Sequence, residues 1–131
     1  MLSNERLLII EDMYLIALDI QRAVESANAV QPVFARSFAQ AATLGDLEGM
    51  FDLAIVNPPV AGSADMEIAE RLVRAGVPIV VCTAARIDLS GTPLANAEIV
   101  VKPFSDDDLV AACRRAISKR RGLEAVSGDL S

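Results

Sequence analysis

The chain has 131 residues, which is the usual size of one domain and enough to bury a core. Hydrophobic residues make up 53% of the chain and aromatic residues only 4%, so we expect a folded domain with an aliphatic core. The formal net charge of −6 argues against nucleic-acid binding as the main function, because binding to a phosphate backbone requires clustered positive charge.

Two residue types limit the chemistry that this chain can carry out. Histidine is absent, which excludes serine–histidine or cysteine–histidine catalysis and histidine-ligated zinc within this chain. The cysteines, Cys82 and Cys113, lie in apolar segments without CxxC spacing, and we expect two buried free thiols. The first dozen residues contain charges and no long apolar run, so we expect no signal peptide, no membrane contact and a cytoplasmic location.

Apolar runs alternate with helical patterns along the chain. Strands are predicted at residues 6–10, 31–35, 51–56, 77–82 and 98–101. Helices are predicted at residues 13–27, 38–47, 64–75 and 106–120. The predicted apolar face of the first helix consists of Leu15, Leu18, Ile20, Ala23 and Val24.

The alternation of strands and helices predicts an α/β fold with a parallel sheet and right-handed crossovers. Five strands at this length indicate the flavodoxin-like, three-layer doubly wound fold with strand order 2-1-3-4-5. Residues 86–96 contain Gly91 and Pro93 and no helical period, so the fourth helix is expected to be short or distorted. We expect one domain over residues 1–121 and a flexible C-terminal tail over residues 122–131.

Polar side chains follow four of the five predicted strands. They are Glu11 and Asp12 after the first strand, Asn57 after the third, Thr83 after the fourth and Lys102 after the fifth. Because ligands of such folds sit outside the carboxyl ends of the strands, we expect these side chains to face one small space. Each of these residues alone has an ordinary structural explanation, as a helix cap, a turn residue or a solvated charge. Their combination in this order is a more specific indication of a functional site.

The segments LLIIED, DLAIVN, VVCTAA and VVKPF carry these residues at spacings that fit a known family. Residues 6 to about 120 resemble the receiver domain of two-component response regulators, which has a CheY-like fold. The resemblance implies that Glu11 and Asp12 serve Mg²⁺. It also implies that Thr83 and Lys102 contact the phosphoryl group, with a cis peptide bond following Lys102.

The chain departs from the family at three places, all of them in the switching machinery. Asn57 falls on the phosphoacceptor position, which the family fills with aspartate. Ile99 lies three residues before Lys102, where the family often has an aromatic residue that moves with the threonine. The third departure is the shortened fourth crossover, which is part of the surface that many receivers use to dimerise or signal.

Asparagine in place of aspartate changes the chemistry of this pocket in two ways. The uncharged amide of Asn57 cannot supply the nucleophilic carboxylate oxygen that phosphoryl transfer requires. Three carboxylates and one lysine would leave a net charge of about −2 for Mg²⁺, and the asparagine reduces it to about −1. We therefore expect weakened Mg²⁺ binding, with Asn57 and the carbonyl of Pro59 as remaining ligands beside Glu11 and Asp12.

These expectations predict a stand-alone receiver-like domain, a pseudo-receiver, in two-component phosphorelay signal transduction. It would act through protein–protein interaction and would not be an enzyme. The implied partner is a histidine kinase, a histidine phosphotransfer protein or a downstream regulator, contacted through Met13 and Tyr14 beside the acidic pair. We expect no binding to nucleic acid, and the sequence is compatible with a homodimer.

Three alternatives stay open at this point. In the first, the receiver is competent for phosphorylation, either through Asp65 or Asp52 or because Asn57 is an introduced substitution. In the second, the chain is a small nucleotide-binding or enzymatic flavodoxin-like domain, although it has no GxGxxG or GxxxxGKS/T loop. In the third, it is a structural interaction domain with a silent Mg²⁺ site, against which the retained polar strand ends argue.

Overall fold

The computed structural model describes residues 2, 5–29, 31–45, 47 and 49–130, with backbone alone for residues 121–130. Within these residues the chain forms five strands, β1 Leu7–Ile10, β2 Val33–Ala35, β3 Leu53–Val56, β4 Ile79–Thr83 and β5 Glu98–Val101. It also forms four helices, α1 Tyr14–Ser26, α2 Phe38–Ala42, α3 Ala64–Arg74 and α4 Asp106–Leu130.

The strands form one parallel sheet in the order β2-β1-β3-β4-β5. This confirms the predicted flavodoxin-like α/β fold and its strand order. Every residue of β1, β3 and β4 is buried, as expected of strands that are covered on both faces. Ile10 pairs with Val56 at the ends of β1 and β3, so the residues that follow these two strands emerge side by side.

A separate hydrophobic cluster fills each face of the sheet. Successive side chains of a strand point to opposite faces, which divides the strand residues between the two clusters. Ile9 and Ile55 pack with α1 and α4 on one face. Ile10 and Val56 pack with α2, α3 and the fourth crossover on the other. All four strand residues are fully buried, so the two clusters hold the layers together.

The buried face of α1 differs from the predicted one. Its buried residues are Ala17, Ile20, Ala23 and Val24, which recur at the three- and four-residue spacing of one helix face. Leu15 and Leu18 were predicted to belong to this face, but 73% and 39% of their surfaces are exposed. The prediction was wrong because it followed residue size, whereas helical periodicity places the small Ala17 against the sheet.

Helix α2 is half as long as predicted. It begins after Ser37, whose hydroxyl accepts a hydrogen bond from the Gln40 N–H, and it ends at Ala42 instead of residue 47. Gly45 has a φ of 110°, a left-handed conformation that a right-handed helix cannot include. The helix therefore cannot continue through Gly45 to its predicted end at residue 47.

The fourth crossover, residues 84–97, contains bends and turns and no helix. Leu94 is 1% exposed and Leu89 is 8% exposed, and both belong to the cluster that includes α3. Polar groups support the turns, since Asp88 accepts hydrogen bonds from Ser90 and the Thr92 hydroxyl donates to the Leu89 carbonyl at 2.7 Å. The predicted loss of a regular fourth helix is confirmed.

Helix α4 begins where the sequence predicts and continues past its predicted end. Ser105 precedes the helix, and its hydroxyl accepts a hydrogen bond from the Asp108 N–H at 3.0 Å. The helix reaches Leu130, through the segment predicted to be a flexible tail. A helical glycine such as Gly122 costs only about 1 kcal/mol relative to alanine, which is too little to end a helix by itself. Ser131 lies outside the described residues, and the flexibility of residues 122–131 stays a prediction.

Of the helices in the described part of the chain, none combines the length and the hydropathy that a membrane span requires.

Candidate functional site

The polar residues at the strand ends lie along the carboxyl edge of the sheet. Glu11 follows β1, Asn57 follows β3, Thr83 is the last residue of β4, and Lys102 follows β5. Backbone hydrogen bonds fix these positions, because the Asn57 N–H donates to the Ile10 carbonyl at 3.0 Å and the Lys102 N–H donates to the Thr83 carbonyl at 2.7 Å. The sheet itself therefore sets where these four side chains begin.

Glu11 and Lys102 form an ion pair across this edge. The Lys102 Nζ lies 3.6 Å from Glu11 Oε2, and the two side chains are 20% and 2% exposed. The other carboxylate oxygen, Oε1, accepts a hydrogen bond from the Met13 N–H at 3.3 Å. Oε2 has no hydrogen-bond partner among the described residues, since 3.6 Å is too long for one. The lysine therefore acts on Glu11 chiefly through charge.

Burial and charge act in opposite directions on Glu11. Burial raises the pKa of the Glu11 carboxyl, because a low-dielectric environment disfavours its charged form. The positive charge of Lys102 and the Met13 N–H lower the pKa of the same group, but burial is the larger effect and the pKa is raised overall. The pocket thus contains a carboxylate that would gain from a further cation.

The Thr83 hydroxyl makes its hydrogen bonds within the loop that follows β4. Thr83 is 4% exposed, and its hydroxyl donates a hydrogen bond to the Ala85 carbonyl at 2.8 Å. The same oxygen accepts a hydrogen bond from the Ala85 N–H at 3.3 Å. This is a local side-chain turn of the kind that threonine commonly forms, and it holds the hydroxyl at the end of β4.

The remaining predicted site residues differ in their exposure. Asn57 is half-buried, Pro59 is buried and Asp12 is exposed. Met13 and Tyr14 project into solvent at the start of α1, with 58% and 73% of their surfaces exposed. The residues beside the acidic pair are therefore accessible to another molecule.

Two further expectations concern the end of β5. The peptide bond between Lys102 and Pro103 is cis, as predicted. Ile99 lies within β5 and is 36% exposed. Its position three residues before Lys102 places an aliphatic side chain at the surface where the family often has an aromatic one.

The two alternative carboxylates lie on different sides of the molecule. Asp52 precedes β3 at the amino edge of the sheet, opposite the pocket, and pairs with Arg6 through Oδ2 at 3.0 Å from Nε. The hydrogen bonds from Arg6 lower the pKa of the Asp52 carboxyl. Asp65 is exposed in the first turn of α3. Asp52 is therefore excluded as a phosphoacceptor in this pocket by its position.

The donor atoms at the pocket suit a hard cation but form an incomplete set. No group of three or more acidic, cysteine or histidine side chains that could hold a metal occurs among the residues that the structure describes. The other predicted oxygen ligands follow the same two paired strands, since Asp12 follows β1, and Asn57 and Pro59 follow β3. Oxygen donors are the ones that Mg²⁺ prefers, and the unpartnered Glu11 oxygen is consistent with a cation site. The types of donor atom at this edge are therefore compatible with Mg²⁺.

Sequence reasoning missed two contacts of the pocket. One is the Glu11–Lys102 pair, which joins the ends of strands that are separated in the sheet by β3 and β4. The opposite charges of the two residues were the only signal for it. The other is the engagement of the Thr83 hydroxyl with Ala85, for which a threonine at a strand end gave only a general hint.

Solved structures similar to this chain are receiver domains. The chain is similar to a response regulator receiver protein from Sinorhizobium medicae, at 18% identity and a TM-score of 0.74, over 88% of this chain and 95% of that chain. It is similar to the chemotaxis response regulator CheY4 of Vibrio cholerae, at 18% identity and a TM-score of 0.67, over 85% and 97% of the two chains. It is also similar to the response regulator PhyR from Brucella abortus, at 26% identity and a TM-score of 0.75, over 97% of this chain and 53% of that one.

This chain has the receiver fold. No protein-family model and no curated protein matches it. The likeness of the solved structures therefore concerns the fold, and it agrees with the family that the strand-end motifs resemble. In the receiver fold of this chain, an amide follows β3, and an ion pair joins the buried Glu11 after β1 to Lys102 after β5.

Proposed function

We propose that this chain is a receiver-like domain of two-component phosphorelay signalling that does not accept a phosphoryl group by the standard aspartyl route. The observation that carries the proposal is Asn57 at the end of β3, beside the buried pair of Glu11 and Lys102. Such a domain acts by binding a partner, without an enzymatic activity of its own.

The neighbouring carboxylates do not substitute for an aspartate at residue 57. Glu11 is 5% exposed and is paired with Lys102, so its oxygens are not presented to an incoming phosphoryl group. Asp52 lies at the opposite edge of the sheet, held by Arg6. Among the carboxylates considered, Asp65 alone is both exposed and on a segment that follows β3, and it is the site to examine if phosphorylation is observed.

Weakened Mg²⁺ binding is part of the same proposal. Glu11, Asp12, the Asn57 side-chain oxygen and the Pro59 carbonyl would hold the ion, which would neutralise negative charge on a bound anion. Lys102 already places one positive charge 3.6 Å from Glu11. The lysine thus competes with Mg²⁺ for the same carboxylate, and the missing charge at Asn57 lowers the affinity further.

The accessible side of the pocket is where a partner would dock. Met13 and Tyr14 are exposed apolar side chains beside the acidic pair. A groove of about 450 Å³ lies on the neighbouring flank of α1, lined by Ile16, Asp19, Arg22, Lys102, Pro103, Phe104 and Asp106. Its mixed charges and its closeness to Lys102 suit a histidine kinase, a histidine phosphotransfer protein or a downstream regulator. By occupying such a partner, the chain would keep it from a competent receiver.

The test is the intact mass of the protein after incubation with acetyl phosphate and Mg²⁺, for the parent chain and for Asn57→Asp. We expect a labile phosphoryl adduct on the variant alone, because the substitution supplies both the nucleophile and the third negative charge. Asn96→Asp is the matched control, since it adds the same carboxylate at an exposed turn far from the pocket. It should gain no adduct.

Two results would contradict the proposal. An adduct on the parent chain would show that another carboxylate accepts the phosphoryl group, and peptide mapping should then examine Asp65 first. If Asn57→Asp gains no adduct, the pocket lacks more than one functional group, and the chain is not a receiver that is disabled at residue 57 alone.

A further inference from the structure

Exposed hydrophobic side chains are concentrated on one side of the molecule. Ten large hydrophobic residues of the described part of the chain are exposed, and five of these lie around the start of α1 and on the face of β2 that α1 borders. The five are Met13, Tyr14, Leu15, Leu18 and Phe34. Val33 precedes Phe34 in β2 and points to the opposite face of the sheet. We call the region of these five residues the α1–β2 surface. Apolar patches of this kind commonly mark protein–protein contacts.

A groove runs between α1 and β2 within the α1–β2 surface. It has a volume of about 830 Å³, and Tyr14, Ala17 and Leu18 of α1 face Phe34 of β2 across its middle. The groove lies on a different flank of α1 from the one that borders Lys102, because the 450 Å³ groove there is lined by Ile16, Asp19 and Arg22 of this helix. The two flanks of α1 thus offer separate binding surfaces.

A ridge of leucine side chains borders this groove. Leu15 is 73% exposed and does not line the groove, whereas Leu18 is 39% exposed and does. Residues three apart are neighbours on a helix surface, so Leu15 and Leu18 form one continuous apolar ridge along α1. A ridge that lies beside a groove on the same face is self-complementary, as a two-fold symmetric interface requires.

The charges at the end of the groove favour one orientation of a second copy. Asp12 and Arg36 both line the groove at the carboxyl edge of the sheet, on the α1 side and the β2 side respectively. Neither residue takes part in an ion pair within the described ranges. A two-fold axis parallel to α1 sets the α1 of each copy against the β2 of the other. That arrangement brings Asp12 of each copy to Arg36 of the other and places each ridge over the opposite groove.

We infer that the α1–β2 surface is the contact between two copies of this chain, related by a two-fold axis parallel to α1. The contact is formed by mutual insertion of the Leu15–Leu18 ridge into the Phe34 groove and by two Asp12–Arg36 pairs. It leaves the Lys102 flank of α1 open to a different protein, but a partner that contacts Met13 and Tyr14 would compete with the second copy for them. The contact does not depend on whether residue 57 accepts a phosphoryl group.

The first test measures the molar mass of the full chain over a range of concentrations, by sedimentation velocity or light scattering. The parent chain is expected to convert from monomer to dimer as the concentration rises. Leu18→Glu should raise the dimer dissociation constant by about tenfold or more, because it places a carboxylate in an apolar contact. Leu44→Glu is the matched control, since Leu44 is 36% exposed and lies outside the α1–β2 surface, and it should change the constant by less than about twofold.

The second test addresses the orientation by exchanging the two charges. Asp12→Arg and Arg36→Asp should each weaken the dimer, and the double variant should restore it because the opposite charges again meet across the two-fold axis. These variants keep the apolar ridge, so the test is independent of any effect of Leu18→Glu on folding.

Three results would overturn the inference. A parent chain that stays monomeric at every concentration would assign the α1–β2 surface to a different protein. Equal sensitivity of the dimer to Leu44→Glu would place the contact elsewhere on this chain. Failure of the double charge exchange to restore the dimer would exclude the parallel two-fold arrangement.

Discussion

Glu11 and Lys102 are paired although the sheet separates their strands by two others. The Glu11 side chain is 2% exposed, so its charge is poorly hydrated, and the lysine at 3.6 Å is the cation that compensates it. Removal of one member of such a pair leaves the other charge buried without compensation. At this scale the stability of the pocket depends on both residues together.

Lys102→Ala is expected to lower the free energy of unfolding by about 2–3 kcal/mol, because Glu11 loses its compensating charge. In the Glu11→Gln background the same substitution should cost less than about 1 kcal/mol, since no buried charge remains to be compensated. Urea denaturation of the four proteins in this double-mutant cycle measures the coupling.

Lys119→Ala provides the control for this prediction. The Lys119 Nζ lies 2.7 Å from Glu98 Oε1, closer than Lys102 lies to Glu11, but its side chain is 57% exposed. Solvent-exposed pairs contribute about 0.2–1 kcal/mol, so this variant should be the milder of the two despite the shorter distance. A larger loss at Lys119 than at Lys102 would show that burial does not govern these pairs.

The fourth crossover replaces a helix with turns and still completes the core. Leu89 and Leu94 are buried against the cluster that contains α3, so two leucine side chains fill the space that a regular helix would cover. Side-chain hydrogen bonds at Asp88 and Thr92 satisfy backbone groups that a helix would have paired. The backbone of the crossover is irregular, but its two leucine side chains have defined places in the core.

Leu94→Ala should destabilise the protein by about 2–5 kcal/mol, because it creates a cavity at a position that is 1% exposed. Leu44→Ala, at a position that is 36% exposed, should change the free energy of unfolding by about 0.5 kcal/mol or less. Chemical denaturation compares the two. Similar small effects for both would mean that the crossover does not pack as described.

The helices show that a local sequence pattern predicts the presence of a helix more reliably than it predicts which face of the helix is buried. The α1 sequence contains enough apolar residues for two different faces, and the leucines favoured the one that proved to be exposed. Only the packing against β1 and α4 decides between the faces. The early end of α2 depends on the conformation of Gly45, which the sequence alone does not specify because glycine adopts many conformations.

For the whole molecule, the order of the strands was the part that the sequence predicted best. Short, continuous aliphatic runs that alternate with helical patterns leave few alternatives to a doubly wound parallel sheet. The positions of Glu11, Asn57, Thr83 and Lys102 along one edge then follow from the topology. The contact between Glu11 and Lys102 could not be predicted, because it depends on how far two long side chains reach across β3 and β4.

The two thiols report on unfolding of the whole domain. Cys82 and Cys113 are free and buried, as predicted, and burial raises the pKa of each to about 12. At pH 8 both are therefore protonated and inaccessible, and a thiol reagent should react with them only through unfolding. Ala95→Cys, at an exposed turn, should react at once and serves as the control. Rapid labelling of the parent chain in the absence of denaturant would contradict this expectation.

Asn57 is followed directly by Pro58, and this neighbour bears on how the protein ages. Asparagine side chains hydrolyse slowly to aspartate by way of a cyclic imide, which forms when the next backbone nitrogen attacks the side-chain carbonyl. Proline has no N–H with which to close that ring. The Asn57 amide is thereby protected from deamidation by the cyclic-imide route, which converts many asparagines in long-lived proteins. We therefore expect Asn57 to convert to aspartate more slowly than an asparagine whose next residue carries a backbone N–H.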